Sequence, residues 1–75
     1  MMQYFEFQDD NVSCFLEITL EDTVVRTRSG QKGTNGVAEE RVFDNANTAA
    51  QEYERLVEEK KGDESYYFVL GEYRL

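Results

Sequence analysis

The stretch Arg26-Thr27-Arg28-Ser29-Gly30-Gln31-Lys32-Gly33-Thr34-Asn35-Gly36 contains three cations, three glycines spaced by three, and no acid. Residues of these types can grip an anion. A guanidinium offers paired donors that match phosphate or carboxylate oxygens, an ammonium adds a point charge, and glycine amides carry no side chain to bar an approach. If the chain is extended here, Arg26 and Arg28 leave the same face about 7 Å apart. Lys32 lies close by, and Gln31 and Asn35 can hydrogen-bond. Arg26, Arg28, Gly30, Gln31, Lys32 and Asn35 are therefore the candidate anion or nucleic-acid site. Two other readings fit the same residues. The glycines can serve backbone geometry alone, as a tight reversal with positive φ or a bulge. The arginines can pair across strands with Glu39, Glu40 or Glu17. The spacing matches neither GxxxxGK[ST] nor a GxGxxG that opens a helix, because a strand pattern follows it.

Charge sharpens the contrast. The net charge is −8, yet residues 24–38 carry +3. A basic tongue thus stands on an acidic body, and the body as a whole disfavours nonspecific binding to duplex nucleic acid or to an anionic membrane. The N-terminal MMQYFEFQDD becomes charged at Glu6, so it does not read as a signal peptide. No apolar run reaches spanning length. A cytoplasmic protein with no membrane partner is the expectation.

Other chemistries have less to build on. There is no His and only one Cys, Cys14, which excludes a structural zinc site and an internal disulfide. Asp9-Asp10 and Asp63-Glu64 read as turns, and neither matches an EF-hand loop. Cys14 has no histidine base and sits mid-strand on an apolar face, as a small hydrophobe does. With sixteen acids in the chain, finding two close together proves nothing. No catalytic residue, metal or cofactor is expected, and the chain is read as a non-enzyme.

The elements that must carry the tongue follow from period. Residues 2–8 and 13–21 alternate apolar and polar side chains around the turn at 9–11, which predicts a hairpin. Residues 23–29 continue as a third strand after the turn Glu21-Asp22, and residues 37–43 form a fourth. Residues 45–62 change to helical period, with Asn45 as N-cap, and Ala49, Tyr53, Leu56, Val57 and Lys60 on one stripe. Lys60 and Lys61 suit the C-terminal dipole, and Gly62 suits a left-handed cap. Residues 66–70, YYFVL, form a last short strand at a sheet edge. The order β-β-β-β-α-β predicts an α+β domain over residues 1–75: one antiparallel sheet of four to five strands with the helix on one face. The expected core is Phe5, Phe7, Leu16, Ile18, Leu20, Val25, Val42, Tyr53, Leu56, Val57 and Phe68, with Phe15 facing the other way.

Over residues 5 to 66 this succession resembles a WGR domain. The matching positions are Arg28 to Gly36, then Phe43, Ala49, Lys60 and Gly62. Of the eponymous triplet only Gly30 is present, since Ser29 stands at the Trp position and Gln31 at the Arg position. The resemblance implies DNA as partner, because in poly(ADP-ribose) polymerases such domains contact DNA near breaks. There the Trp offers an aromatic surface and the Arg meets the backbone; Ser29 cannot stack and Gln31 carries no charge. The leading expectation is a non-catalytic binding module that touches nucleic-acid phosphates weakly through residues 26–36. The alternative is a protein-interaction or self-association module that uses the acidic surface and a sheet edge.

Overall fold

The computed structural model describes residues 1–63 and 66–68. Four strands come first: β1 (Met2–Asp9), β2 (Val12–Glu21), β3 (Val24–Gln31) and β4 (Val37–Val42). The helix α1 (Ala46–Lys61) and a short strand β5 (Tyr66–Phe68) follow. The strands form one antiparallel sheet in the order β4-β3-β2-β1-β5. The α+β architecture is the one expected. β5 does lie at a sheet edge, beside β1; residues 69 and 70 of the expected last strand lie outside the described residues.

Two-residue turns set the registers. Asp10 and Asn11 both take positive φ, at 50° and 69°, between the paired residues Asp9 and Val12. That is the geometry of a tight hairpin turn, which short polar side chains tolerate. Asp22 takes φ 56° between the paired Glu21 and Val24. With both turns fixed, β1, β2 and β3 can meet in only one way.

Directly paired residues share a face, so the register sorts the side chains. On one face lie Phe5, Leu16, Ile18, Leu20 and Val25. Phe5, Ile18 and Val25 are buried there against Ala49, Tyr53 and Val57 of α1, with Leu16, Leu20, Phe43 and Leu56 packed around them. Burying a side chain of this size contributes roughly 1.5–3 kcal/mol, so this layer is the main source of stability in a small domain. Arg41 and Glu52 tie β4 to the helix at 3.1 Å, and Arg55 bonds the same carboxylate at 2.8 Å. The Arg55 hydrogen bond, helped by the charges of Arg55 and Arg41, holds the Glu52 carboxyl below its ordinary range.

Three expectations are corrected. Val42 is not in the core: it pairs with Val24 on the face away from the helix, in an edge strand, and is 73% exposed. Phe7 is only half-buried. Gly62 does not take a left-handed cap; its φ is −84°, and its N–H still bonds the Glu58 carbonyl at 3.1 Å. The helix simply winds out, so no reversal is demanded there. Its start is as expected, with the Asn45 side chain accepting the Thr48 amide at 2.8 Å. The side chain of Phe68 lies outside the described residues. Among the described residues no helix is long and apolar enough to cross a membrane.

Tyr53 carries one cost of this packing. Burial raises the pKa of its hydroxyl, with the Gln3 side chain acting in the opposite direction. Yet the hydroxyl makes no contact of hydrogen-bond geometry among the described residues. A buried hydroxyl without a partner costs about 1–3 kcal/mol. Tyr53→Phe is therefore expected to leave stability unchanged or raise it by about 1 kcal/mol, read from urea unfolding. A loss larger than that would show that the hydroxyl is satisfied.

The glycine loop and its charged face

The candidate site lies on the sheet face away from the helix. The register that buries Phe5 and Ile18 on one side places Tyr4, Glu6, Phe15, Glu17, Arg26 and Arg28 on the other. Here Phe15 is 4% exposed although no helix covers it. Three groups enclose it. The Tyr4 ring stacks beside it, with centroids 6.3 Å apart and planes 12° from parallel. The Arg28 guanidinium lies 4.8 Å over its centroid. The loop after β3 folds against it at Gly36, where an added Cβ would come 2.9 Å from the Phe15 Cζ.

Arg28 connects all of this. Its Nε and Nη2 donate to the two oxygens of Glu17, at 3.0 and 2.9 Å. Its Nη1 donates to the Asn35 carbonyl at 2.9 Å. One planar group thus stacks on the ring, forks onto a carboxylate and holds the loop. Lysine could not supply that combination. Glu17 is the residue directly opposite Arg28 in the register.

The other cations are also paired. Arg26 bonds Glu40, its cross-strand partner, through Nε at 2.8 Å and Nη2 at 2.7 Å, and Glu21 lies 3.6 Å away. The hydrogen bond from Glu40, and then its charge, raise the Arg26 pKa further. Lys32 Nζ lies 2.8 Å from Glu6 Oε2, the oxygen that also accepts from the Tyr4 hydroxyl at 3.2 Å. The sequence left open whether these cations would meet an outside anion or carboxylates of their own chain. The structure places all three against carboxylates of the chain itself. Gln31 and Asn35 contribute their main-chain carbonyls to the loop: Gln31 accepts from the Thr34 amide at 3.1 Å and from the Thr34 hydroxyl at 2.7 Å.

Gly30 and Gly36 serve close approach. An added Cβ at Gly30 would lie 2.7 Å from the Gly36 Cα; at Gly36 it would also strike the Ser29 carbonyl. Gly33 differs, with φ 93° and nothing within 4 Å of an added Cβ. A shallow depression of about 190 Å³ remains beside the loop, lined by Tyr4, Phe15, Arg28, Lys32, Gly33 and Thr34. That is below the roughly 300–1,000 Å³ of ordinary ligand pockets. No group of three or more side chains that could hold a metal occurs among the described residues. Alternation puts Tyr4, Glu6 and Phe15 on this face, but the candidate site read from sequence did not include them, nor the burial of Phe15. The usable signal was that all three lie on the face opposite Phe5 once the hairpin is tight.

The sequence profile of the WGR domain matches residues 1–67. Among solved structures, a protein from Bacteroides fragilis superimposes with a TM-score of 0.82 at 30% identity, covering 93% of this chain and 20% of the other. The chain therefore spans about a fifth of that protein's length. No curated protein sequence matches the chain.

The two kinds of glycine should separate on substitution. Gly33→Ala is expected to cost about 1–2 kcal/mol, from its positive φ alone. Gly36→Ala is expected to cost about 3 kcal/mol or more, because overpacking against Phe15 and the Ser29 carbonyl adds to the φ strain. Urea unfolding of both variants checks this, and equal costs would deny the close packing of Gly36 on Phe15.

Proposed function

This chain belongs to the WGR domain family, and we propose that it is a single non-catalytic interaction module whose partner is a protein rather than a nucleic acid. The observation that supports this reading is the closure of Arg26, Arg28 and Lys32 onto Glu40, Glu21, Glu17 and Glu6. Four carboxylates stand among three cations. An exposed pair is worth only about 0.2–1 kcal/mol, so a phosphate could open one cheaply. The displaced carboxylate would nonetheless stay within a few Å of it and repel it. Counterion release, which drives phosphate binding, needs cations that are not already neutralised. A protein surface of mixed charge meets no such obstacle, because it can supply both signs at once.

The second reading is weak contact with nucleic-acid phosphates through Arg26, Arg28, Gly30, Gln31, Lys32 and Asn35. The family favours it, because WGR is a nucleic-acid-binding type of module. Titration of nicked and blunt duplexes at about 50 mM and 200 mM salt discriminates between the two. The expected result is no saturable binding at either salt, both for the wild type and for Arg26→Ala plus Arg28→Ala. Saturable binding that disappears in the double variant would overturn the proposal. Its salt slope would then be about −0.9 for each phosphate neutralised.

A further inference from the structure

The edge strand β4 is exposed at every residue from Val37 to Val42. Val37 and Val42 are 70% and 73% exposed, so two of the four exposed large hydrophobics among the described residues flank this one strand. Its backbone also has an open side. The Phe43 amide bonds the Thr23 carbonyl at 2.9 Å. Alternation along an antiparallel pair then turns the main-chain groups of Val37, Glu39 and Arg41 toward β3, and those of Ala38, Glu40 and Val42 away from the sheet. Three residues thus present outward N–H and C=O groups in a row, a template for another strand.

The sequence of β4 says which strand fits. If a second copy of β4 lies antiparallel to the first with a twofold axis at Glu40, then Ala38, Glu40 and Val42 face Val42, Glu40 and Ala38 of the second copy. All three are outward residues, so each pair can exchange both backbone hydrogen bonds. Glu39 then lies opposite Arg41 of the second copy, and Arg41 opposite its Glu39. Opposite charges directly across strands are favourable. Among the described residues Glu39 has no ion-pair partner within its own chain. Arg41 spends one nitrogen on Glu52 and remains 66% exposed. The like pair at the axis, Glu40 with Glu40, is flanked by Arg26 of each copy, which already bonds it at 2.7 Å. The two exposed valines find Ala38 and Phe43 of the second copy. A twofold axis at Glu39 would set Glu39 against Glu39, and one at Arg41 would set Arg41 against Arg41. Only the register about Glu40 pairs the unlike charges.

We propose that the protein partner of this module is a second copy of the chain, joined β4 to β4 in this register to make a continuous antiparallel sheet. The inference rests on the protein-interaction reading above and names its partner. Sedimentation equilibrium of the full chain tests it. The wild type is expected to move from monomer to dimer as concentration rises to the millimolar range. Glu39→Arg and Arg41→Glu, each alone, place like charges opposite one another and should weaken association by about tenfold or more. An equimolar mixture of the two variants should dimerise again, because each residue then faces its opposite. Ala38→Pro removes an outward amide at a position an edge strand tolerates, and should yield a folded monomer by circular dichroism. A wild type that stays monomeric throughout overturns the proposal, as does a mixture no better associated than its components. Neither result bears on duplex binding, whose appearance would instead overturn the reading on which this inference rests.

Discussion

The guanidinium of Arg28 joins three parts that would otherwise separate: an aromatic ring, a carboxylate and a glycine loop. It stacks on Phe15, forks onto Glu17 and donates to the Asn35 carbonyl as its third partner. Phe15 is kept from water on a face that has no helix, and the loop is held down where it crosses that face. The glycines fit this role. Gly30 and Gly36 let two backbone segments approach each other and the ring more closely than any Cβ would allow. The basic residues that drew attention in the sequence are thus part of the fold itself. Arg28 and the glycine loop form the lid on a second, smaller apolar site around Phe15, opposite the helix-covered core.

The same arrangement sets the charge pattern of the surface. A cation bonded to its own chain's carboxylate is electrically quiet at a distance, and screening removes most of what remains. With Glu6, Glu17, Glu21 and Glu40 interleaved among Arg26, Arg28 and Lys32, the face presents alternating sign rather than a positive patch. Family membership and fold are secure on the profile match and the superposition. The chemistry of this member's charged face is its own, because its arginines are occupied by carboxylates of the chain; Ser29 and Gln31, at the Trp and Arg positions of the signature, pair with Leu16 and Cys14 on the opposite face.

Much of the fold was legible because local rules agreed. Alternation gave the strands, Asn45 and the apolar stripe gave the helix, and Asp10 and Asp22 marked the turns, the second of which falls at Asp22-Thr23, one residue later than the expected Glu21-Asp22. A two-residue turn at Asp22-Thr23 also implies that Glu17 faces Arg28, so that pair could be read once the turn length was known. The Arg26–Glu40 pair could not be read the same way. It depends on how residues 30–36 close between Ser29 and Val37, a path set by packing against Phe15 rather than by turn chemistry. Burial misled in both directions for a related reason. Val42 has a core-like side chain but lies at an edge, and Phe15 points away from the helix but is covered by a loop. Periodicity reports which face a residue occupies, not what lies above that face.

The central claim is that the Arg28 guanidinium is committed inside the chain. The most direct test is the ¹⁵N-resolved NMR signal of its Nε–H, followed while nicked duplex is added at low salt. The signal should be visible and slow to exchange, because the hydrogen is held by Glu17, and it should not move as duplex accumulates. A signal lost to rapid exchange, or one that shifts and saturates with duplex, would contradict the account.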